Sequence, residues 1–206
     1  MIKQTCFPLI LALLMCTEGV AAPRPDQKFH AQGVFLFNVI TEASTTEVDF
    51  DEGKGFAAYA GYHILPRLAV EVGAVKFDPT KSLEVDSEVA LQTEFESTGY
   101  TLGIKGIGSF YDLFDYWAAA GVYSWDATLN YELNYRSFPN LRRFGSTGNS
   151  GEDVYYRLGV STPLMENLII SVEISHFELN DFFSGIEDGN TDFKQRTIGL
   201  GIQTYF

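Results

Sequence analysis

Apolar and polar residues alternate along most of the chain, most plainly at its C-terminal end. Ile198, Leu200, Ile202, Thr204 and Phe206 fall on one face of an extended strand, and Thr197, Gly199, Gly201 and Gln203 on the other. A period of two marks a strand with unlike faces. The same split separates Tyr100, Leu102 and Ile104 from Thr101, Gly103 and Lys105, and Leu68, Val70, Val72 and Ala74 from Ala69, Glu71 and Gly73. It recurs in Val154, Tyr156, Leu158 and Val160 against Tyr155, Arg157, Gly159 and Ser161, and in Leu168, Ile170, Val172 and Ile174 against Ser171, Glu173 and Ser175. One face of these strands is greasy, and the charges share the other. In a water-soluble sheet the polar face would look out to solvent, and alternation alone does not separate that case from a sheet whose apolar face meets lipid.

Strands are predicted near 28–40, 55–65, 67–78, 98–109, 116–131, 153–162, 167–179 and 192–206. The predicted fold class is all-β, a closed antiparallel eight-stranded transmembrane β-barrel with up-and-down meander order, because a tilted strand crosses a bilayer in about 9–11 residues. The connections at Pro66, 110–115 and 163–167 are short, and those near 41–54, 79–97, 132–152 and 180–191 are long. Short turns at one end and long loops at the other are the pattern of outer-membrane barrels. Tyr62, Phe110, Tyr111, Tyr116, Trp117, Tyr205 and Phe206 gather near the short turns and the terminus, which predicts an aromatic girdle there. Plain β-propensity of aromatics is the competing explanation. The strand from Tyr116 is ambiguous, because Trp117, Ala119, Gly121, Tyr123 and Trp125 share one parity while Ala118, Ala120 and Val122 hold the other. A bulge would reconcile the two sets.

Ahead of the first strand, Lys3 precedes an apolar run from Cys6 to Met15, which gives way to Gly19, Val20, Ala21 and Ala22. That order reads as a secretory signal peptide over 1–21, give or take a residue at the cut, with one barrel domain over 22–206. Cleavage after Ala22 would put Pro23 first in the mature chain, so a cut after Ala21 fits better. Met15 is too large for the slot that precedes a lipidated cysteine, which disfavours Cys16 as an anchor. Both cysteines, Cys6 and Cys16, fall in this leader. The domain would therefore hold neither a disulfide nor a thiolate metal site. No later stretch approaches the roughly 18 apolar residues of a membrane helix. A formal charge of −13 argues against nucleic acid as a partner.

The segments GFAAYAGYHILPRLAVEVGAVKF (55–77), YTLGIKGIGSF (100–110) and GLGIQTYF (199–206) together resemble the OmpA-like family of eight-stranded outer-membrane barrels. In pattern the likeness runs over the whole domain, and its motifs are the Gly-Tyr, turn, Ala-Val-Glu-Val-Gly hairpin, the Lys-bearing strand after it and the terminal aromatic. The resemblance implies the outer membrane of a Gram-negative bacterium, with its lipids, lipopolysaccharide, assembly machinery and periplasmic chaperones as partners. It implies that Glu71 and Lys105 belong to a charge cluster inside the barrel, and that Phe206 belongs to the C-terminal assembly signal. Thr204 and Gln203 depart from an all-apolar version of that signal. Larger members continue into a peptidoglycan-binding domain, whereas this sequence stops at Phe206, so no tether to the cell wall is expected.

Parity adds Arg157 and Glu173 to Glu71 and Lys105, with Glu71–Lys105 and Glu173–Arg157 as the expected pairs. Eight strands enclose an interior just wide enough for side chains, so a satisfied polar core is a better reading than a gate or proton path. Catalysis is not expected. The fragment Ser175-His176-Phe177-Glu178 superficially resembles the His-centred segment of lipid A deacylases, but Glu178 stands where that family places its Ser. Ser175 and His176, adjacent in a strand, point to opposite faces. His30 and His63 lack the spacing of a zinc motif, and no cofactor or metal is expected. Gly103, Gly106 and Gly108 precede no helix, so they are better read as relief of crowding than as a phosphate loop. Acidic residues crowd the long connections: Glu42, Glu47, Asp49, Asp51 and Glu52, then Glu84, Asp86, Glu88, Glu94 and Glu96, then Asp181, Glu187, Asp188 and Asp192. Without a calcium-loop pattern these are chiefly solvated charge. Arg136, Arg142 and Arg143 are the exception and suit lipopolysaccharide phosphates. Three roles follow in order: a structural envelope barrel with acidic external loops, a surface adhesin or receptor acting through those loops, and a lipid A-modifying hydrolase.

Overall fold

Eight strands follow one another around a closed ring in chain order: β1 (Phe29–Ala43), β2 (Gly53–Leu65), β3 (Leu68–Val85), β4 (Val89–Phe110), β5 (Phe114–Tyr135), β6 (Arg142–Met165), β7 (Leu168–Phe183) and β8 (Thr191–Tyr205). The computed structural model describes residues 28–44, 50–85, 89–110, 114–135, 141–165, 167–183 and 191–206. The leader at 1–21, Tyr111, Arg136 and the acidic residues Glu47, Asp49, Asp86, Glu88, Glu187 and Asp188 lie outside them. All neighbours are antiparallel, and β1 closes the ring on β8. The ring is staggered. Traced one way from Phe35, the register passes Phe56 and Lys76 to reach β4 at Thr98. Traced the other way, it passes Leu200, Val172, Val160 and Tyr116 to reach β4 at Gly108, ten residues further on (108 − 98). Such a stagger is what tilts the strands of a closed barrel.

Parity sorts the side chains as the alternation predicts. Val72, Tyr100, Leu102, Val154, Leu158, Ile174, Leu200 and Ile202 are exposed on the outside, while Glu71, Thr101, Lys105, Arg157, Glu173 and Ser175 are buried. In β5 no bulge is needed. Trp117, Ala119, Tyr123 and Trp125 all face inward, and the β4–β5 register runs unbroken from Val89↔Tyr135 to Phe110↔Phe114.

Bulges occur elsewhere. In β1 the register shifts between Phe37 and Val39 at Asn38, whose φ of 54° suits Asn better than most residues. Inward positions are even below it (His30, Gln32, Val34, Leu36) and odd above it (Val39, Thr41). In β3 the shift falls at Asp78 and Pro79, between Phe77 and Thr80, where a residue without an N–H costs no ladder bond.

Two sequence expectations are corrected. The connections at 79–97 and 132–152 are mostly strand: β3, β4, β5 and β6 run for 18, 22, 22 and 24 residues, against 13 to 16 for the other four. Beyond Phe77, β3 has no β2 partner, and the register of β6 with β7 begins only at Tyr155. Strands β3 to β6 thus continue past the ring as a four-stranded sheet, whose base at Thr80, Ser82, Thr93 and Phe95 still faces the buried interior and whose end at Leu83 and Val85 is exposed. Arg142 and Arg143, expected in a loop, begin β6. The girdle is corrected as well. Trp117 is buried inside and Tyr205 packs on His30 and His63, while Phe29, Tyr62, Phe110, Phe114 and Phe206 form the exposed aromatic set at the turn end.

Candidate functional site: the barrel interior and the projecting sheet

The interior is layered along its axis. Nearest the short turns lie His30 and His63, the second residue of β1 and a residue near the end of β2. His30 Nδ1 is 3.1 Å from His63 Nε2, and His30 Nε2 is 2.7 Å from Glu71 Oε1. Next come the charges. The register sets Ala69, Lys105, Ala119, Arg157 and Ser175 side by side across β3 to β7, so each long cation projects over an alanine and reaches the carboxylates in adjoining rows. Lys105 Nζ is 3.2 Å from Glu71 Oε1 and donates to Gln203 Oε1 at 3.2 Å. Arg157 donates from Nε and Nη2 to the two oxygens of Glu173 at 3.1 and 2.8 Å, and from Nη1 to Glu71 Oε2 at 3.4 Å. Gln32 Nε2 donates to Glu173 at 3.2 Å and its carbonyl accepts from Arg157 Nη2 at 3.3 Å. The two cations also cover aromatic faces, Arg157 3.4 Å above Tyr59 and Lys105 4.4 Å from the centre of Trp117. Two carboxylates and two basic side chains thus face one another within one desolvated layer, the condition under which buried charge is tolerated.

Sequence parity placed Glu71, Lys105, Arg157 and Glu173 on the inner face, and the structure brings all four together. It adds His30, Gln32, His63 and Gln203, which sequence reasoning left out of the cluster. The rows are wide enough for such side chains because glycines sit beneath them. A Cβ at Gly103 would collide with the Tyr155 hydroxyl and the Ala120 carbonyl, and one at Gly159 with the Trp117 ring.

Above the charges, toward the long loops, the filling is apolar. Phe77, Tyr123, Tyr155 and Phe177 form one aromatic tier, with Phe177 5.0 Å from Tyr123 and 5.4 Å from Phe77. Phe95, Phe182 and Phe193 form the next, Phe95 and Phe193 stacked at 4.5 Å. Val34, Leu36, Val39 and Leu179 close the remaining space.

Outside the ring, Asp153 marks the point where the projecting sheet separates. Its carboxylate accepts from Trp125 Nε1 and from the Asn180 backbone N–H, both at 2.8 Å, and beyond it the Asn149 side chain of β6 bonds the Asp181 and Phe182 carbonyls of β7 in place of a regular ladder. On the sheet, Lys81 lies 3.7 Å from Glu94 and Arg142 3.4 Å from Glu132, both pairs exposed. A shallow cleft on its outer face is lined by Gln92, Glu94, Asn130, Glu132, Phe144 and Ser146. Ser175 points inward and donates to Glu173, whereas His176 lies on the outer side, stacked on Tyr156 at 4.6 Å, so the two do not meet. Among the described residues no three His, Cys, Asp or Glu side chains converge as metal ligands.

An apolar exterior, a filled interior and an unbroken ring define a β-barrel that is solvated by lipid. The family described as "Outer membrane protein beta-barrel domain" matches residues 9–206, and the chain belongs to it. Its place is the outer membrane of a Gram-negative bacterium, with the short turns at the periplasmic end and the long loops outside. Solved structures with similarity include the attachment invasion locus protein Ail of Yersinia pestis, at 10% identity and TM-score 0.48 over 86% of this chain and 99% of that one. Neisserial surface protein A aligns at 13% identity and 0.48 over 86% and 97%, and OprG of Pseudomonas aeruginosa at 12% and 0.49 over 87% and 97%. No curated protein sequence matches the chain.

Proposed function

We propose that this chain is a sealed, non-catalytic barrel with a structural role in the envelope, which holds an acidic four-stranded sheet and its loops outside the cell. The observation that carries this reading is the filling of the interior by described side chains, charged in its periplasmic half and aromatic in its outer half. Purified protein in planar lipid bilayers is expected to give no stepwise conductance. Discrete channel openings would overturn the sealed reading.

A second reading, a surface adhesin or receptor, is favoured by the projecting sheet, whose Leu83, Val85 and Phe144 are exposed at 66%, 52% and 71%. Shortening the β3–β4 and β5–β6 hairpins and measuring binding of cells to host surfaces separates the two. Outer-leaflet lipopolysaccharide is the proposed lipid partner of Arg142 and Arg143, through charge-assisted contacts to phosphate. Phe206 is the residue proposed to be read by the assembly machinery after chaperoned passage through the periplasm, and the leader over 1–21 the segment removed on export. Lipid A mass spectra with and without the protein test hydrolysis, and unchanged spectra are expected.

A further inference from the structure

His30 receives contacts on both ring nitrogens, and the two are not equivalent. Glu71 accepts from Nε2 at 2.7 Å, which holds the proton of the neutral ring there and turns the Nδ1 lone pair toward His63. His63 Nε2 stands 3.1 Å away and donates to that lone pair when it carries the ring proton, while His63 Nδ1 has no hydrogen-bond partner among the described residues. Moving that one proton to the free Nδ1 of His63 turns two lone pairs toward the same point, one from each ring, where a cation can replace the proton.

We propose that His30 Nδ1 and His63 Nε2 form a transition-metal site at the periplasmic mouth, with Glu71 as the carboxylate behind His30 and water in the remaining positions. The separation suits it. Two imidazole nitrogens at the usual ~2.0–2.1 Å from an ion and 3.1 Å from each other subtend about 100° at that ion, close to the tetrahedral angle. A carboxylate on the far nitrogen of a metal-bound histidine orients the ring and raises its basicity. The donors come from adjacent strands, β1 and β2, and lie next to Tyr205 at the end of the barrel, so an ion enters from the periplasm without crossing the charged layer. Spacing in the sequence could not disclose this pair, because the two residues meet only through the β1–β2 ladder and are 33 positions apart.

The ion class follows from the donors. Imidazole suits Cu2+ and Zn2+, with Cu2+ ahead in the general affinity order. Glu71 and Glu173 are already matched by Lys105 and Arg157, so the ion's own charge falls to water and hydroxide at the mouth. Two protein donors and no spare anion make a weak, exchangeable site.

Untagged barrel in detergent micelles, titrated with Cu2+ and followed by calorimetry and electron paramagnetic resonance, tests this. One Cu2+ per barrel is expected, with superhyperfine splitting from two imidazole nitrogens. His63→Gln, which leaves the His30–Glu71 contact in place, should weaken binding at least tenfold and remove one nitrogen from the spectrum. His176→Gln, on the outer face of β7, should change neither. Heat-modifiability on gels shows that each variant is folded. A folded wild-type barrel that takes up no stoichiometric Cu2+ overturns the proposal, as does a folded His63→Gln barrel that binds like wild type, or binding lost in His176→Gln alone.

Discussion

Arg157 and Lys105 are both buried cations, yet their neighbourhoods make them unequal. Arg157 is bonded to both carboxylates and to Gln32, whereas Lys105 is bonded to Glu71 and two glutamine carbonyls. Glu71 without Lys105 still has His30 and Arg157, while Glu173 without Arg157 keeps, among the described residues, Gln32 and Ser175 as donors. Arg157→Met should therefore cost about 3–5 kcal/mol, the usual loss when a buried ion is left without its counter-ion. Lys105→Met should cost less, about 1.5–3 kcal/mol, the scale of a hydrogen bond to a charged group. Reversible urea unfolding in lipid vesicles measures both, and equal losses would show that Glu71 does not share its charge as the geometry implies. Adding Glu71→Gln to Lys105→Met should recover part of the second loss; strict additivity would rule out a direct coupling. The four charges were legible in the sequence because parity puts them on one face, and the loop pattern and the family resemblance turn that face inward. Gln32 was not, since its partners Ser171, Glu173 and Arg157 stand on β7 and β6, and only closure of β1 on β8 brings those strands across from it. Trp117 and Tyr205 stand near a turn yet lie inside, because parity and not position along the strand sets the face of an aromatic side chain.

At the scale of elements, the projecting sheet was the least legible part of the fold. Alternation identifies a strand when an apolar face contrasts with a polar one, and at the base of this sheet the buried face itself carries Thr80, Ser82 and Thr93. Glu94, Asn130 and Ser146 on one face are no more polar than Ser82 and Thr93 on the other, so the segment reads as loop. Bulges hid more, because Asn38 and the Asp78–Pro79 pair each switch the inward parity partway along a strand. Beyond Phe77 in β3 and before Tyr155 in β6, each outer strand of this sheet has one ladder partner among the described residues. Their composition limits edge-to-edge pairing: Asp78, Pro79, Lys81 and Glu84 on β3, Arg142, Arg143 and three glycines, Gly145, Gly148 and Gly151, on β6. Because Leu83 and Val85 are exposed and lie beyond the last β2 partner of β3, removing 83–92 and rejoining the β3–β4 hairpin should leave the barrel heat-modifiable and its urea midpoint nearly unchanged. A deletion that abolishes heat-modifiability would show that the sheet takes part in closing the barrel.

For the molecule as a whole, stability depends on closure. A ring without free edges offers detergent no place to begin unzipping, so the protein should resist carbonate and urea extraction from outer membranes and migrate differently on gels before and after boiling. Recovery of the processed chain from the soluble periplasm would contradict this. The seam of that ring is β1 with β8, registered from His30↔Tyr205 to Ala43↔Phe193. Phe206 extends it by one step, its N–H donating to the Phe29 carbonyl at 2.8 Å and its carbonyl accepting from Phe29 at 3.3 Å. The Phe206 side chain is 66% exposed and makes little contribution to packing inside the barrel. Its removal should accordingly separate assembly from stability. If Phe206 serves as a recognition element, its deletion should lower the inserted amount in cells several-fold and raise periplasmic degradation, while the fraction that does insert keeps its heat-modifiability and nearly the wild-type urea midpoint. If Phe206 is only the last rung of the seam, insertion in cells and folding into synthetic vesicles should fall together or not at all. Quantifying both for the same deletion decides between them, and unchanged insertion would remove the assembly role from this residue.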